Sequence, residues 1–151
     1  MIAPRRWLTS GVFLLNAALN RSMRDFMPDS HNFPQIFERL RAVLAEYQDI
    51  AVITADDASH YSLDIGYALR FKKRLLFGAV QVNKNYVSYH LMPVYMYPDL
   101  LNDISPERKK RMQGKSCFNF KKLDEALFRE LGRLTYRSVE RLKVEGIVSQ
   151  E

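Results

Sequence analysis

Residues 75–92, LLFGAVQVNKNYVSYHLM, decide the fold of this chain. Two apolar-rich segments flank Asn-Lys-Asn at 83–85. Asparagine tolerates the left-handed backbone conformations that tight turns require. The stretch therefore predicts a β-hairpin with strands over 75–82 and 86–92.

The two faces of the second strand differ in polarity. Successive side chains of a strand point to opposite sides of the sheet, so Val87, Tyr89 and Leu91 share one face. This apolar face is the one that we expect helices to cover. The other face carries Tyr86 and His90, and its mixed polarity predicts a sheet surface that is partly wet or lines a cleft.

Helices are predicted before and after this hairpin. Residues 32–48 place apolar side chains at three- and four-residue steps, with Pro34 in the first turn. Residues 123–143 form a second amphipathic helix. The shorter elements are predicted at 50–55, 60–65 and 115–120 for strands and at 105–114 for a helix. The order predicts an α+β fold, an antiparallel sheet of about five strands with the N-terminal and C-terminal helices on one face.

The bulk composition indicates one globular domain, and we predict no cofactor for it. The chain has 151 residues, of which 47% are hydrophobic, enough for a single core. Cys117 is its single cysteine, which excludes an internal disulfide and favours a reducing cytoplasm. We predict a domain over 28–143, a tail over 144–151, and over 1–27 a loosely structured extension or an upstream-start artefact. A secretion signal and a docked amphipathic helix are the alternatives for the first segment.

Most of the chain resembles a known family. Its segments AVQVNKNYVSYHLMPVY, ISPERKKRMQGK and SCFNFKKLDEALFRELGRL follow one another as hairpin, helix, aromatic-alternating strand and closing helix. This order resembles the YdhG-like superfamily of small bacterial domains, over about residues 33–143. The resemblance implies a cytoplasmic α+β domain with an antiparallel sheet. One branch is described as frataxin-like, so the resemblance also implies an iron or metal chaperone as an alternative function.

The leading functional hypothesis is a non-enzymatic binding or accessory protein with a shallow cleft on the sheet. Tyr86 and His90 would hydrogen-bond a ligand, and Tyr95 and Tyr97 would form the rim. The expected partner is a small molecule or a protein, and a minor core or a homodimer contact is the alternative use of this face. The sequence nominates no catalytic residue, because a pair of Cys117 with His90 requires their strands to be neighbours.

A metal site is a weaker hypothesis. Three carboxylates and one imidazole lie within nine residues, namely Asp56, Asp57, His60 and Asp64. On a strand His60 and Asp64 stand about 13 Å apart, too far for one ion without help from the backbone. The Asp-Asp pair alternatively forms a turn, in which a short carboxylate accepts backbone hydrogen bonds.

The net charge of +6 is concentrated in the C-terminal third. Residues 105–143 hold 12 basic and 5 acidic side chains. The candidates for contact with an anion or a nucleic acid are Arg108, Lys109, Lys110, Arg111, Arg129, Arg133 and Arg137. A nucleic-acid-binding module is the alternative function if these residues converge on one surface. A solvated, internally paired face is the other interpretation.

Overall fold

The structure, a computed structural model, describes residues 32–68 and 71–149. The helices are α1 (Phe33–Ala45), α2 (Met92–Met96), α3 (Pro106–Lys109) and α4 (Glu125–Val144). The strands are β1 (Ala51–Asp56), β2 (His60–Ala68), β3 (Lys73–Val82), β4 (Val87–Leu91), β5 (Met112–Gln113) and β6 (Cys117–Phe120). Short 3-10 turns occupy Gln48–Ile50 and Pro98–Leu101. The α+β class is confirmed, whereas the expectation for residues 1–27 lies outside the described residues.

The described strands form one antiparallel sheet of six, in the order β1-β2-β3-β4-β6-β5. About five strands were expected, and β5 is the addition. The helix predicted to reach Gly114 ends at Lys109, and β5 follows it. Gly114 has a φ of +72°, the left-handed conformation expected of it, but it lies in the turn between β5 and β6 rather than at a helix end.

The predicted hairpin is confirmed, with shorter bounds at its second strand. β3 pairs with β4 from Gly78 opposite Leu91 to Val82 opposite Val87. Met92, expected to end the strand, begins α2 instead, because Pro93 lacks the N–H that would continue the ladder and suits the first turn of a helix.

Both long helices lie on the face of the sheet that carries Tyr89. In α1, Leu44 lies so close to Gly78 that a Cβ there would stand 2.8 Å from Leu44 Cδ1. In α4, Thr135 Oγ1 lies 2.8 Å from the Tyr89 hydroxyl. Since Gly78 pairs with Leu91, two residues beyond Tyr89, the two helices cover the same side of the sheet.

The apolar stripe predicted for α1 forms the centre of the core. Its fully covered side chains are Phe33, Ile36, Phe37, Leu40 and Leu44. Burying side chains of this size stabilises a fold by about 1.5–3 kcal/mol each. The sheet contributes the opposite half of this core from its helix-covered face.

The closing helix begins at Glu125, two residues after the expected start. The Asp124 carboxylate caps it by accepting a hydrogen bond from the Leu127 amide at 3.2 Å. Beyond the helix, Ile147 and Val148 are buried and their amides reach the Leu142 carbonyl, so this part of the predicted tail packs onto the domain. Of the helices in the described part of the chain, none has the length and apolar character needed to span a bilayer.

Candidate functional site

The face of the sheet that points away from the helices brings His90 and Cys117 together. β4 and β6 are neighbours, and their register places His90 opposite Cys117. His90 Nδ1 lies 2.9 Å from Cys117 Sγ and 3.4 Å from Ser116 Oγ. Burial lowers the pKa of His90 and raises the pKa of Cys117, so the pair is a neutral thiol beside a neutral imidazole. Because the thiolate is the nucleophilic form, this pairing favours an inert thiol.

The four residues of the predicted cleft do not form one cluster. Tyr86 precedes β4 and His90 lies within it, on the face away from the helices. The ring of Tyr95 is exposed, with Lys115 Nζ 5.8 Å from its centroid. Tyr97 lies on the helix side, where the guanidinium of Arg141 in α4 stacks 4.6 Å from its ring centroid. Tyr97 is therefore separated from His90 by the sheet.

Two of the three carboxylates of the predicted metal site, Asp56 and Asp57, are engaged within the protein. Asp56 pairs with Arg41 at 3.0 Å. Asp57 accepts hydrogen bonds from the Ser59 amide and hydroxyl and from the His60 amide, and these bonds lower the pKa of Asp57. Asp57 thus forms the turn as the alternative interpretation expected, whereas Asp56 is the last residue of β1. Within the described ranges no three His, Cys, Asp or Glu side chains are grouped so as to hold a metal ion.

The basic residues of the C-terminal third converge in part. A cavity of about 1100 Å³ opens between α1, α4 and the segment around α3. Its basic lining residues are Arg39, Arg108, Arg129, Arg133 and Arg137. Lys109 and Lys110 are exposed and lie outside this lining, as does Arg111. The set predicted from the sequence is therefore divided between the cavity and the outer surface.

Arg108 is the most unusual side chain of this cavity. It is only 1% exposed, and its Nη2 pairs with Glu130 Oε1 at 2.7 Å. Its Nε and Nη1 atoms have no hydrogen-bond partner within the part of the chain that the structure describes. Its guanidinium carbon lies 5.9 Å from the ring centroid of Phe118, which closes the inner side. Two nitrogen donors of this buried guanidinium therefore find no acceptor among these neighbours.

The first turn of α3 orients Arg108 inward. Ser105 Oγ accepts a hydrogen bond from the Arg108 amide at 3.3 Å, which confirms the predicted helix start. The Ser105 amide and hydroxyl also donate to the two oxygens of Glu130, each at 2.7 Å. Glu130 therefore fixes both the cap and the guanidinium and has little capacity left for further donors.

The positive charge around Arg108 is greater than the negative charge that its ion-pair partner Glu130 supplies. Burial is the largest influence on the pKa of Arg108 and lowers it. The negative charge of Glu130 raises that pKa, and the positive charges of Arg137 and Arg133 lower it. Arginine remains protonated under all physiological conditions. Arg137 in turn pairs with Asp103 at 3.4 Å, whereas Arg133 is exposed at the cavity rim. The site is therefore a place where negative charge is stabilised.

Sequence reasoning missed the uncharged and acidic members of this cavity. Glu130 orients Arg108, and Gly132 leaves open space on α4, where an added Cβ would meet no described atom within 4 Å. A glycine inside a helix costs about 1 kcal/mol relative to alanine. Its position between the arginines of α4 is the signal that indicates this opening.

Comparisons of the chain with protein-family models, with curated proteins and with solved structures give no match. The resemblance to the YdhG-like superfamily therefore stays a prediction. The functional interpretation rests on the geometry and charge of the described residues.

Proposed function

We propose that this chain is a non-enzymatic binding domain that holds a small anionic molecule in the cavity beside α4. Arg108 carries the proposal, since it is a buried guanidinium with two nitrogen atoms lacking partners among the described residues. Nearly all buried polar groups in proteins are hydrogen-bonded, and an unmet donor costs about 1–3 kcal/mol, more when it is charged. An anion in the cavity supplies the missing acceptors.

The charge of the lining supports the same conclusion. Five arginines line the cavity, of which Arg39 pairs with Glu125 outside the lining, and the acidic lining residues are Glu46, Asp103 and Glu130. A concave site with an excess of positive charge concentrates anions. Hydrogen bonds between a guanidinium and an anion are about twice as strong as those between neutral groups.

A small anion fits this arrangement better than a nucleic acid does. A nucleic acid needs a continuous basic surface on which its backbone can lie. Here Arg108 is buried, while Lys109 and Lys110 point to solvent outside the cavity. The convergent charge therefore matches one anionic group rather than a polymer of phosphates.

The test is a thermal-shift titration with inorganic phosphate at constant ionic strength. Phosphate at ten times its Kd stabilises the folded state by about 1.4 kcal/mol, which raises the Tm by roughly 5 °C. Arg133→Ala removes an exposed cation at the cavity rim and should lose most of this shift.

Arg74→Ala is the matched control, because Arg74 is an exposed arginine on β3 that does not line the cavity. Its phosphate shift should equal that of the wild type. An absent shift in the wild type would contradict the proposed function, and an equal loss in both variants would show that general charge rather than this cavity is involved.

A further inference from the structure

The cavity that contains Arg108 has two chemically different parts. The part toward α3 is basic, with Arg108, Arg133 and Arg137. The part toward α1 contains apolar and aromatic groups, including Val43 and Phe128, and the charge of its arginine, Arg39, is offset by an ion pair with Glu125. A ligand that fills both parts has an anionic end and an apolar body.

The far end of the cavity disfavours a second negative charge. Tyr47 and Tyr136 lie there with Glu46. Burial raises the pKa of Tyr47, and the negative charges of Glu46 and Glu140 add to this effect. A second anionic group near these carboxylates would be repelled, so the body of the ligand is neutral at this end.

Gly132 joins the two parts. It lies in the interior of α4, between the basic and the aromatic lining residues, and no described atom lies within 4 Å of the position that a Cβ would take. Neither a positive φ nor a close backbone contact requires glycine there. Glycine weakens a helix interior more than any other residue except proline. At this position its missing side chain keeps the cavity open.

The size of the cavity exceeds what a free inorganic anion needs. Sites for small organic molecules measure about 300–1,000 Å³. The cavity, at about 1100 Å³, lies just above that range. Three of the five lining arginines, Arg39, Arg108 and Arg137, each pair with a carboxylate of the described residues. Arg129 and Arg133 have no such pair there, and two cations match a dianion better than a single carboxylate. A phosphomonoester carries a charge between −1.5 and −2 near pH 7.

We infer that the ligand is an organic phosphomonoester with a neutral, ring-bearing body. Its phosphate accepts hydrogen bonds from Arg108 and Arg133, and its body extends past Gly132 toward Val43 and Tyr47. This inference rests on the proposed function and adds the class of ligand to it.

The experiment compares three probes on the full chain by calorimetry: phenyl phosphate, glycerol 3-phosphate and inorganic phosphate. Phenyl phosphate is expected to bind the wild type about tenfold more tightly than glycerol 3-phosphate, because its ring removes apolar surface from water. Gly132→Leu fills the space beside α4 and should abolish this tenfold preference while inorganic phosphate still binds. Gly132→Ala, the conservative control, should keep most of it.

A second blocking variant keeps the test valid if Gly132→Leu fails to fold. Ala42→Phe blocks the same space from α1, where Ala42 is exposed and lines the cavity. Equal affinities for the two organic phosphates, or a preference that survives both blocking variants, overturn the inferred ligand class but leave phosphate binding through Arg133 intact. Absence of binding by all three probes overturns the proposed function itself, and the inference with it.

Discussion

The hydrogen bond between Tyr89 and Thr135 joins the centre of the sheet to α4. Tyr89 is fully buried, and its hydroxyl lies 2.8 Å from Thr135 Oγ1. Thr135 Oγ1 donates to the Leu131 carbonyl at 2.8 Å, so the Tyr89 hydroxyl is the donor in the shared bond. Burial raises the pKa of Tyr89, which therefore stays protonated and keeps this direction across the accessible pH range.

The direction of the bond predicts that mutation of its donor and mutation of its acceptor lower the free energy of unfolding by different amounts. Thr135→Val leaves a buried hydroxyl donor without an acceptor and should lower the free energy of unfolding by about 1–3 kcal/mol. Tyr89→Phe removes the donor and leaves the Thr135 bond to Leu131 in place, so its cost should be about 1 kcal/mol or less. Because both changes nearly conserve shape, neither creates a large cavity.

The double variant tests whether the losses of stability in the two single variants are coupled or simply add. With both hydroxyls gone, no orphaned donor remains, and the double variant should be more stable than Thr135→Val alone. Urea denaturation followed by circular dichroism measures the three free energies of unfolding, provided that the m-values agree. Ser138→Ala is a control, since the buried Ser138 hydroxyl donates to the Leu134 carbonyl within its own helix. A double variant whose loss equals the sum of the single losses would refute the assigned bond.

The remaining predictions concern the sheet. Gly78→Ala should lower the free energy of unfolding by about 1–3 kcal/mol, because the added Cβ would stand 2.8 Å from Leu44 Cδ1 and 3.0 Å from the His90 carbonyl oxygen. The control Gly66→Ala meets its nearest side-chain atom at 3.4 Å and should cost clearly less in the same urea titration. Burial raises the pKa of Cys117, so iodoacetamide should alkylate the native thiol more slowly than the urea-unfolded thiol at pH 8; rapid native labelling at pH 6 would contradict this. Burial lowers the pKa of His90, so the unfolded chain binds the proton first and stability should fall as the pH drops below about 6.5. His90→Gln should flatten that part of the curve between pH 7 and 5, and an unchanged slope would contradict the assignment.

Local sequence signals predicted those parts of the fold that local interactions determine. The Asn-Lys-Asn turn predicted the hairpin, and the apolar stripe within 32–48 predicted α1 and its buried face. Ser105 followed by proline predicted the start of α3. Each signal combines a backbone preference with a periodicity that one element displays by itself.

The features that the sequence left open depend on contacts between distant segments. β5 has two residues, too few for an alternating pattern, and its pairing with β6 replaces the expected helical turns. Arg108 stands in a run of four basic residues, and nothing in that run distinguishes it from Lys109 or Lys110. Its burial results from packing against Phe118 and Glu130, which belong to elements further along the chain.

The position of β6 between β4 and β5 also has a kinetic consequence. Strands β1 to β4 can pair in succession through local turns as the chain emerges, whereas β6 can dock on β4 only after α2, α3 and β5 have been made. Closing such a long loop carries an entropic cost that slows the step. Cys117 takes its place beside His90 in that same step. The rate at which its thiol becomes protected during refolding therefore measures how fast the sheet is completed.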